Sequence, residues 1–281
     1  MIRKLSIGYS PCPNDTYIFY GLTHDKVKLE QMELAAPLLE DVETLNLWGM
    51  DKRLDITKLS FHALGHVLDE YCVLSAGSAL GRGCGPLLVA LPGFEPSSLA
   101  TAKVAIPGRL TTANMLFRMY SPLTSNLVEL RFDEIMAAVE SGEVDAGVII
   151  HESRFTYGEQ GLICLQDLGK WWEELAGHPI PLGCIAARRS LGEERIRRID
   201  HAIYQSIVWA DAHPHQCLDY IRENAQEMDA QVMQNHIGLY VNDYSKRLGE
   251  AGMAAIEAFL RRGREAGILP GFSGHLGCSN D

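Results

Sequence analysis

The fold is decided by an apolar run at residues 85–91, GPLLVAL, which is bounded by glycine and proline. A second apolar run, LGCIAA at residues 182–187, follows after a long intervening stretch. We interpret the two runs as two crossings of the chain between two lobes. Residues 1–90 and 188–281 are therefore expected to form a first lobe with a helical return, and residues 91–187 an inserted second lobe.

Strand-like and helix-like patterns alternate on both sides of the first crossing, which is typical of an α/β sheet. Helix periodicity over residues 37–50 places Leu38, Val42, Leu45 and Trp48 on one face, and we expect that face to be core. From residue 192 onward the pattern is wholly helical. Two α/β lobes joined by two crossings describe a type-2 periplasmic-binding-protein-like fold. Other expected elements are strands at 5–9, 55–59, 104–106, 127–130 and 146–150, and helices at 15–22, 61–70, 112–120 and 132–141.

Composition restricts the class of partner. The 281 residues carry a formal net charge of -11, which argues against a nucleic-acid-binding protein and favours a small molecule. We find neither the apolar stretch of a secretory signal nor the roughly 18 apolar residues of a membrane span, so we expect a cytoplasmic protein without a membrane partner. The sequence leaves formation of a homodimer open.

The seven cysteines are scattered and contain no Cys-x-x-Cys pair. We therefore expect reduced thiols, with neither a disulfide framework nor a zinc site. Cys12 lies in a proline-rich turn that could face a ligand. Known metal motifs and glycine-rich phosphate loops are absent from the sequence, which predicts that no cofactor is needed.

Two polar turns follow strands of the expected first lobe. The turn SPCPNDT at residues 10–16 carries Asn14 at a position where open α/β sheets bind ligands. The segment DITKLS at residues 55–60 offers the Lys58 cation and the Ser60 hydroxyl to a carboxylate or phenolic oxygen. The alternatives are a turn that only caps its helix, and a solvated lysine beside a capping serine.

The segment GRLTTAN at residues 108–114 begins the first helix of the expected inserted lobe. A helix N-terminus with free backbone N–H groups binds anions, so Thr111 and Thr112 are candidate ligands for a carboxylate, with Arg109 nearby. The alternative is that the two threonines only cap the helix.

The run DAGVIIHE at residues 145–152 ends an apolar strand abruptly in His151 and Glu152. A histidine at the end of a buried strand can exchange a proton with a bound substrate without a cofactor, which makes His151 a candidate general base. A single histidine is more often structural, and that alternative stays open. The other histidines lack this placement.

Taken together, SPCPNDTYIF, DITKLSFHALG, GRLTTANMLF and GVIIHESRFTY resemble the 1,4-dihydroxy-6-naphthoate synthase family of the futalosine route to menaquinone. The resemblance covers about the first 190 residues and is weaker through the helical tail. It implies a lyase that splits cyclic dehypoxanthine futalosine without a cofactor, with His151 as the base.

Two other functions remain open. A chorismate dehydratase of the same pathway would share the fold and the carboxylate pocket, although SPCPNDT with IIHE favours the naphthoate synthase. A non-enzymatic organic-acid-binding protein would also share the fold, but it would not require a histidine at the end of the strand at 146–150.

Overall fold

The computed structural model describes residues 4–225 and 229–278. Its first sheet has the strand order β2-β1-β3-β11-β4, and β5 pairs with β11. Strand β1 is parallel to β2 and to β3, whereas β11 is antiparallel to its neighbours. The bounds are β1 Ile7–Tyr9, β2 Leu38–Leu39, β3 Ile56–Ser60, β4 Tyr71–Val73, β5 Ala79–Gly81 and β11 Ile180–Arg188.

The second sheet has the strand order β10-β6-β9-β7-β8. Strand β7 is parallel to β8 and β9, and β6 is antiparallel to β9 and β10. The α/β arrangement on two sheets agrees with the predicted fold class. The bounds are β6 Leu87–Ala90, β7 Val104–Ile106, β8 Leu127–Glu129, β9 Ala146–Ile149 and β10 Ile163–Asp167.

Helices connect the strands and form the C-terminal part of the chain. Helix α4 has the predicted bounds because Thr111 accepts a hydrogen bond from the Asn114 N–H at its start. The bounds are α1 Pro13–Thr23, α2 Val42–Met50, α3 Phe61–His66, α4 Thr112–Tyr120, α5 Ile135–Glu140, α6 Ser153–Thr156, α7 Leu168–Ala176, α8 Glu193–Ala212, α9 Pro214–Asn224, α10 Ala230–Tyr240, α11 Asp243–Lys246 and α12 Gly249–Glu265.

The helix predicted for residues 37–50 is wrong at its start. Asp41 caps α2 by accepting from the Glu43 and Thr44 N–H groups, so the helix begins at Val42. Leu38 instead pairs with Gly8 in the parallel register of β1 and β2, and its side chain is exposed. The core face therefore starts later than the periodicity indicates.

The two sheets share a continuous apolar core. One cluster of buried side chains contains Leu59 of β3, Leu88 of β6, Val104 of β7 and Phe259 of α12. The chain passes from the first sheet to the second after β5 and returns to the first with β11. The expected lobe limits, 1–90 with 188–281 and 91–187, stay a prediction.

A disulfide joins Cys72 to Cys278, with 5.3 Å between the two Cα atoms. The prediction that all seven cysteines are reduced thiols is therefore wrong for this pair. The two residues lie 206 positions apart in the chain, so no spacing motif indicates the bond. The bridge attaches the last described residues to strand β4 of the first sheet.

Among the described residues, no helix is both long and apolar enough to cross a bilayer.

Candidate functional site

A cleft lies at the carboxyl ends of four strands, β1, β3, β7 and β9. This is the edge at which α/β sheets bind ligands. The ends of these strands and the segments that follow them bring together every residue that the sequence predicted as a catalytic or binding residue. Those lining the cleft are Asn14, Lys58, Ser60, Thr111, Thr112 and His151.

A buried ion pair lies on the side of the cleft that the first sheet forms. The Lys58 ammonium donates to Asp15 Oδ1 over 2.6 Å, and both side chains are buried. Ser10 and Asn14 also donate to the Asp15 carboxylate, each over 2.8 Å. The turn at residues 10–16 therefore anchors Lys58, whose charge is balanced by Asp15 before any substrate binds. In the sequence, Asp15 is only the first residue of the helix expected at residues 15–22.

Ser60 is held by a side-chain network that joins both sheets. The Asn46 amide accepts from the Ser60 N–H and donates to its hydroxyl, and it also donates to Glu43. Glu43 in turn accepts from the Leu110 N–H over 2.9 Å. A Cβ atom at position 108 would lie only 2.4 Å from the Glu43 side chain, and the backbone of Gly108 has φ +136°. Only glycine permits both this approach and this backbone conformation.

The N-terminus of α4 faces the cleft with backbone N–H groups rather than hydroxyl protons. Thr111 donates its hydroxyl proton to Gly108 O, and Thr112 donates to Leu182 O over 2.6 Å. Within the described part of the chain, the N–H groups of Thr112 and Ala113 have no hydrogen-bond acceptor. The first N–H groups of a helix have no acceptor within the helix, so these two groups can donate to a bound anion.

Arg109 does not contribute to this anion site. Its side chain is 82% exposed and pairs with Glu129 on the surface. Arg109 is also not among the residues that line the cleft. The charge that the sequence analysis placed near Thr111 is therefore directed to solvent, and the α4 N-terminus supplies the positive potential there.

His151 occupies the point where β9 has ended, in a left-handed backbone conformation with φ +56°. Such a conformation is uncommon for a residue other than glycine and occurs often at functional sites. Phe132 packs edge-on against the imidazole, with ring centroids 4.8 Å apart, and Cys12 Sγ lies 3.6 Å from Nδ1. Nε2 has no hydrogen-bond partner within residues 4–225 and 229–278, and it is not fully buried. This nitrogen is therefore open to the cleft.

Burial disfavours the protonated form of the His151 imidazole. Burial lowers its pKa from the usual histidine value of 6.5, and the nearby carboxylates of Glu152 and Asp15 oppose that shift only in part. Burial also raises the pKa of the Cys12 thiol well above its ordinary value, so the sulfur stays protonated. A neutral imidazole beside a thiol is the form in which a histidine accepts a proton.

The helical tail contributes two residues that the sequence analysis missed. His236 and Tyr240 of α10 are buried and line the cleft, although His236 lies on a helix and not at the end of a strand. His236 Nε2 donates to Asn14 Oδ1 over 2.9 Å, and its ring lies parallel to that of His151 at 6.2 Å. Burial lowers the pKa of His236 well below 6.5. The one sequence signal was its place on the buried stripe of α10, with Met233 and Tyr240.

One cluster in the cleft wall could hold a metal ion. Ligand atoms of Cys12, His151 and Glu152 lie within 4.8 Å of one another. These residues come from two turns that are distant in the sequence, so no local motif marks the cluster.

The fold resembles that of solute-binding proteins. A crystal structure of a protein from Archaeoglobus fulgidus superposes with a TM-score of 0.89 at 35% identity, covering 95% of this chain and 98% of that one. The alkanesulfonate-binding protein SsuA from Xanthomonas axonopodis pv. citri superposes with a TM-score of 0.70 at 12% identity, covering 95% and 94%. At that identity the second likeness concerns the fold alone, and it confirms the predicted periplasmic-binding-protein-like architecture.

Sequence comparison identifies nearer relatives. The 1,4-dihydroxy-6-naphtoate synthase of Thermus thermophilus is 48% identical over 267 residues, which are 95% of this chain and 96% of that protein. The synthase of the same name from Streptomyces coelicolor is 44% identical over 277 residues, covering 95% of both chains. A family model described as menaquinone biosynthesis matches residues 5–265. The chain therefore belongs to the menaquinone biosynthesis family.

Proposed function

We propose that this chain is a lyase that converts cyclic dehypoxanthine futalosine to 1,4-dihydroxy-6-naphthoate, with His151 as the general base. The names of the two curated relatives support the reaction. The observation that carries the role of the residue is the environment of the imidazole, in which Cys12 occupies Nδ1 and leaves Nε2 open to the cleft.

Cys12 contacts Nδ1, so Nε2 is the nitrogen left to act on a bound substrate. In the tautomer that carries the proton on Nδ1, the lone pair of the neutral ring is on Nε2 and is directed toward substrate. The left-handed backbone of His151 and the edge of Phe132 fix the ring in that orientation. We therefore assign proton abstraction to Nε2.

The reaction requires a general base and hydrogen-bond donors to an oxyanion. Removal of a proton next to a carbonyl starts expulsion of the sugar portion, and formation of an aromatic ring contributes much of the driving force. The base and hydrogen-bond donors to the developing oxyanion supply the required stabilisation. Lys58 and Ser60 lie on the opposite lobe from His151 and are the candidates for those donors, with Asn14 beside them.

The substrate carboxylate is assigned to the α4 N-terminus. Among the described residues, the N–H groups of Thr112 and Ala113 have no acceptor, which supports this choice because a helix N-terminus stabilises an anion without a neighbouring cation. Thr111 caps the helix, and the hydroxyl of Thr112 holds the turn against Leu182. The two threonines thus position the backbone donors.

The same proposal includes a cytoplasmic location, a small-molecule carboxylate as the partner, and a reaction that needs no cofactor. A neutral imidazole and buried donors suffice for an elimination of this kind, and that sufficiency supports the cofactor-free reaction.

Product identification tests the proposed reaction. The purified protein is incubated, in the presence of a chelator, with cyclic dehypoxanthine futalosine and separately with chorismate, and the products are identified by mass. We expect 1,4-dihydroxy-6-naphthoate from the first substrate and no change in the second. Conversion of chorismate alone would instead assign the chain to the dehydratase, and loss of activity on chelation would contradict the cofactor-free reaction.

A further inference from the structure

The side of His151 that faces away from the cleft carries ligands of a kind that zinc prefers. Cys12 Sγ lies 3.6 Å from His151 Nδ1, and a Glu152 oxygen completes a group with all ligand atoms within 4.8 Å. Zinc is commonly bound by thiolate, imidazole and carboxylate in tetrahedral geometry.

The spacing of the sulfur and the nitrogen matches a shared metal. Zn–S bonds of about 2.3 Å and Zn–N bonds of about 2.0 Å at tetrahedral angles place sulfur and nitrogen about 3.5 Å apart. The observed 3.6 Å between Cys12 and His151 therefore needs almost no adjustment. With all ligand atoms within 4.8 Å of one another, the carboxylate needs to approach by at most about 1.5 Å, which lies within the broad terminal torsion of a glutamate.

Unpaired polar atoms lie in the same place. Glu152 is 6% exposed and His236 is 0% exposed. Across the described residues, Glu152 Oε2 and His236 Nδ1 are buried without a hydrogen-bond partner, and His236 Nδ1 lies 4.0 Å from Glu152 Oε1. A buried polar atom without a partner in the chain commonly has a water or an ion beside it. The carboxylate thus has an oxygen available for a ligand.

We propose that Cys12, His151 and Glu152 form an inhibitory site for a thiophilic divalent cation, of which Zn²⁺ is the representative. On binding, the Cys12 thiol loses its proton to solvent as the sulfur–metal bond forms. The ring proton of His151 moves from Nδ1 to Nε2 as the nitrogen–metal bond forms. Nε2 then carries a hydrogen and no longer accepts one, so the metal stops catalysis without entering the substrate cleft. The inhibition, but not the binding, rests on the proposed role of His151.

Cobalt substitution tests binding independently of activity. Co²⁺ is titrated into the metal-free protein, and the absorption of the thiolate-to-cobalt charge transfer is recorded. We expect the band in the wild type, and its loss in Cys12→Ser. Cys84→Ser is the matched control, because Cys84 is a buried free cysteine that lines the substrate cleft and belongs to no group of three candidate ligands among the described residues. This control should keep the band.

Glu152→Gln is a second variant that tests the metal site if circular dichroism shows that Cys12→Ser fails to fold. It should keep the charge-transfer band but weaken Co²⁺ binding by at least about 10-fold, since loss of outer partners alone costs roughly 10- to 100-fold. A wild type without the band, a band that survives Cys12→Ser, or unchanged affinity in Glu152→Gln would overturn the site.

Inhibition is measured with Zn²⁺ and turnover of cyclic dehypoxanthine futalosine, relative to the activity of each variant without metal. The wild type should be inhibited and then restored by a chelator, and Cys84→Ser should respond equally. If the purified chain does not turn this substrate over, the proposed function fails while the cobalt band still decides the metal site. Band formation without inhibition of an active enzyme would overturn the inhibitory role.

Discussion

The Lys58 ammonium lies 2.6 Å from Asp15 Oδ1 in a buried ion pair that joins strand β3 to the first turn of helix α1. Removing one partner leaves the other charge buried and uncompensated, which costs about 3 to 5 kcal/mol. Lys58→Met should therefore lower the free energy of unfolding by that amount in urea denaturation. An unchanged free energy would show that the pair contributes nothing to the fold.

The control for this prediction is another lysine–aspartate pair. Lys246 donates to Asp211 over 2.7 Å, but both side chains are 37% exposed. Solvent weakens such a pair, so Lys246→Met should cost less than about 1 kcal/mol. A cost equal to that of Lys58→Met would indicate that burial does not decide the difference.

Thr112→Val tests the assignment of the substrate carboxylate. The change removes the hydrogen bond to Leu182 O that holds the α4 N-terminus, and one such bond contributes about 0.5 to 1.5 kcal/mol. Because a remote carboxylate is bound equally in the ground and transition states, KM should rise about 2- to 10-fold with a smaller change in kcat.

The matched control is Thr124→Val, since the Thr124 hydroxyl donates to Leu99 O over 2.9 Å and the residue does not line the cleft. It should alter stability but leave KM unchanged. A collapse of kcat in Thr112→Val at constant KM would mean that this threonine acts on the reacting centre.

Local patterns predicted much of this structure, and long-range contacts account for the rest. Helix α4 was predicted with its correct bounds because its cap and its apolar spacing are both local. Leu38 pairs instead with Gly8, thirty positions earlier, and helix periodicity carries no information about that register. His236 reaches Asn14 across 222 positions, and Cys72 bonds to Cys278 across 206. Such pairings depend on how the helical tail packs on the first sheet.

The free energy of unfolding should depend on pH through His62. Its Nδ1 donates to Thr111 O over 3.1 Å, and burial lowers its pKa from 6.5 to about 4. The unfolded chain therefore binds the proton more tightly, and the folded state loses stability as the pH falls from 6.5 towards 4. The total loss is about 3 kcal/mol at 1.36 kcal/mol for each unit of pKa.

His62→Asn keeps a donor near the Nδ1 position but does not titrate. Its free energy of unfolding should fall less steeply between pH 6.5 and 4 than that of the wild type, as measured by urea denaturation. His213→Asn, which removes an exposed imidazole that contacts Trp209 O, is the control. Equal slopes for wild type and His62→Asn would show that His62 is not the group that titrates.

The disulfide between Cys72 and Cys278 should stabilise the oxidised protein. A crosslink across 206 positions restricts the unfolded chain, and removal of a native disulfide typically costs about 2 to 5 kcal/mol. Cys278→Ser should lower the free energy of unfolding by this amount without a reductant. With a reductant, wild type and variant should agree. Mass spectrometry of the intact wild type would contradict the bond if both sulfurs were free.

The role of His151 as general base is the central claim, and the pH dependence of kcat in wild type and His151→Asn tests it most directly. Asparagine keeps the approximate size but removes the basic nitrogen, so the fold and product binding should persist while kcat falls by about 10²- to 10⁴-fold. Because burial lowers the pKa of His151, the acid limb of the wild-type profile should lie below about pH 6.5. The variant should lose that limb. A folded His151→Asn with near-wild-type kcat and an unchanged acid limb would contradict the account.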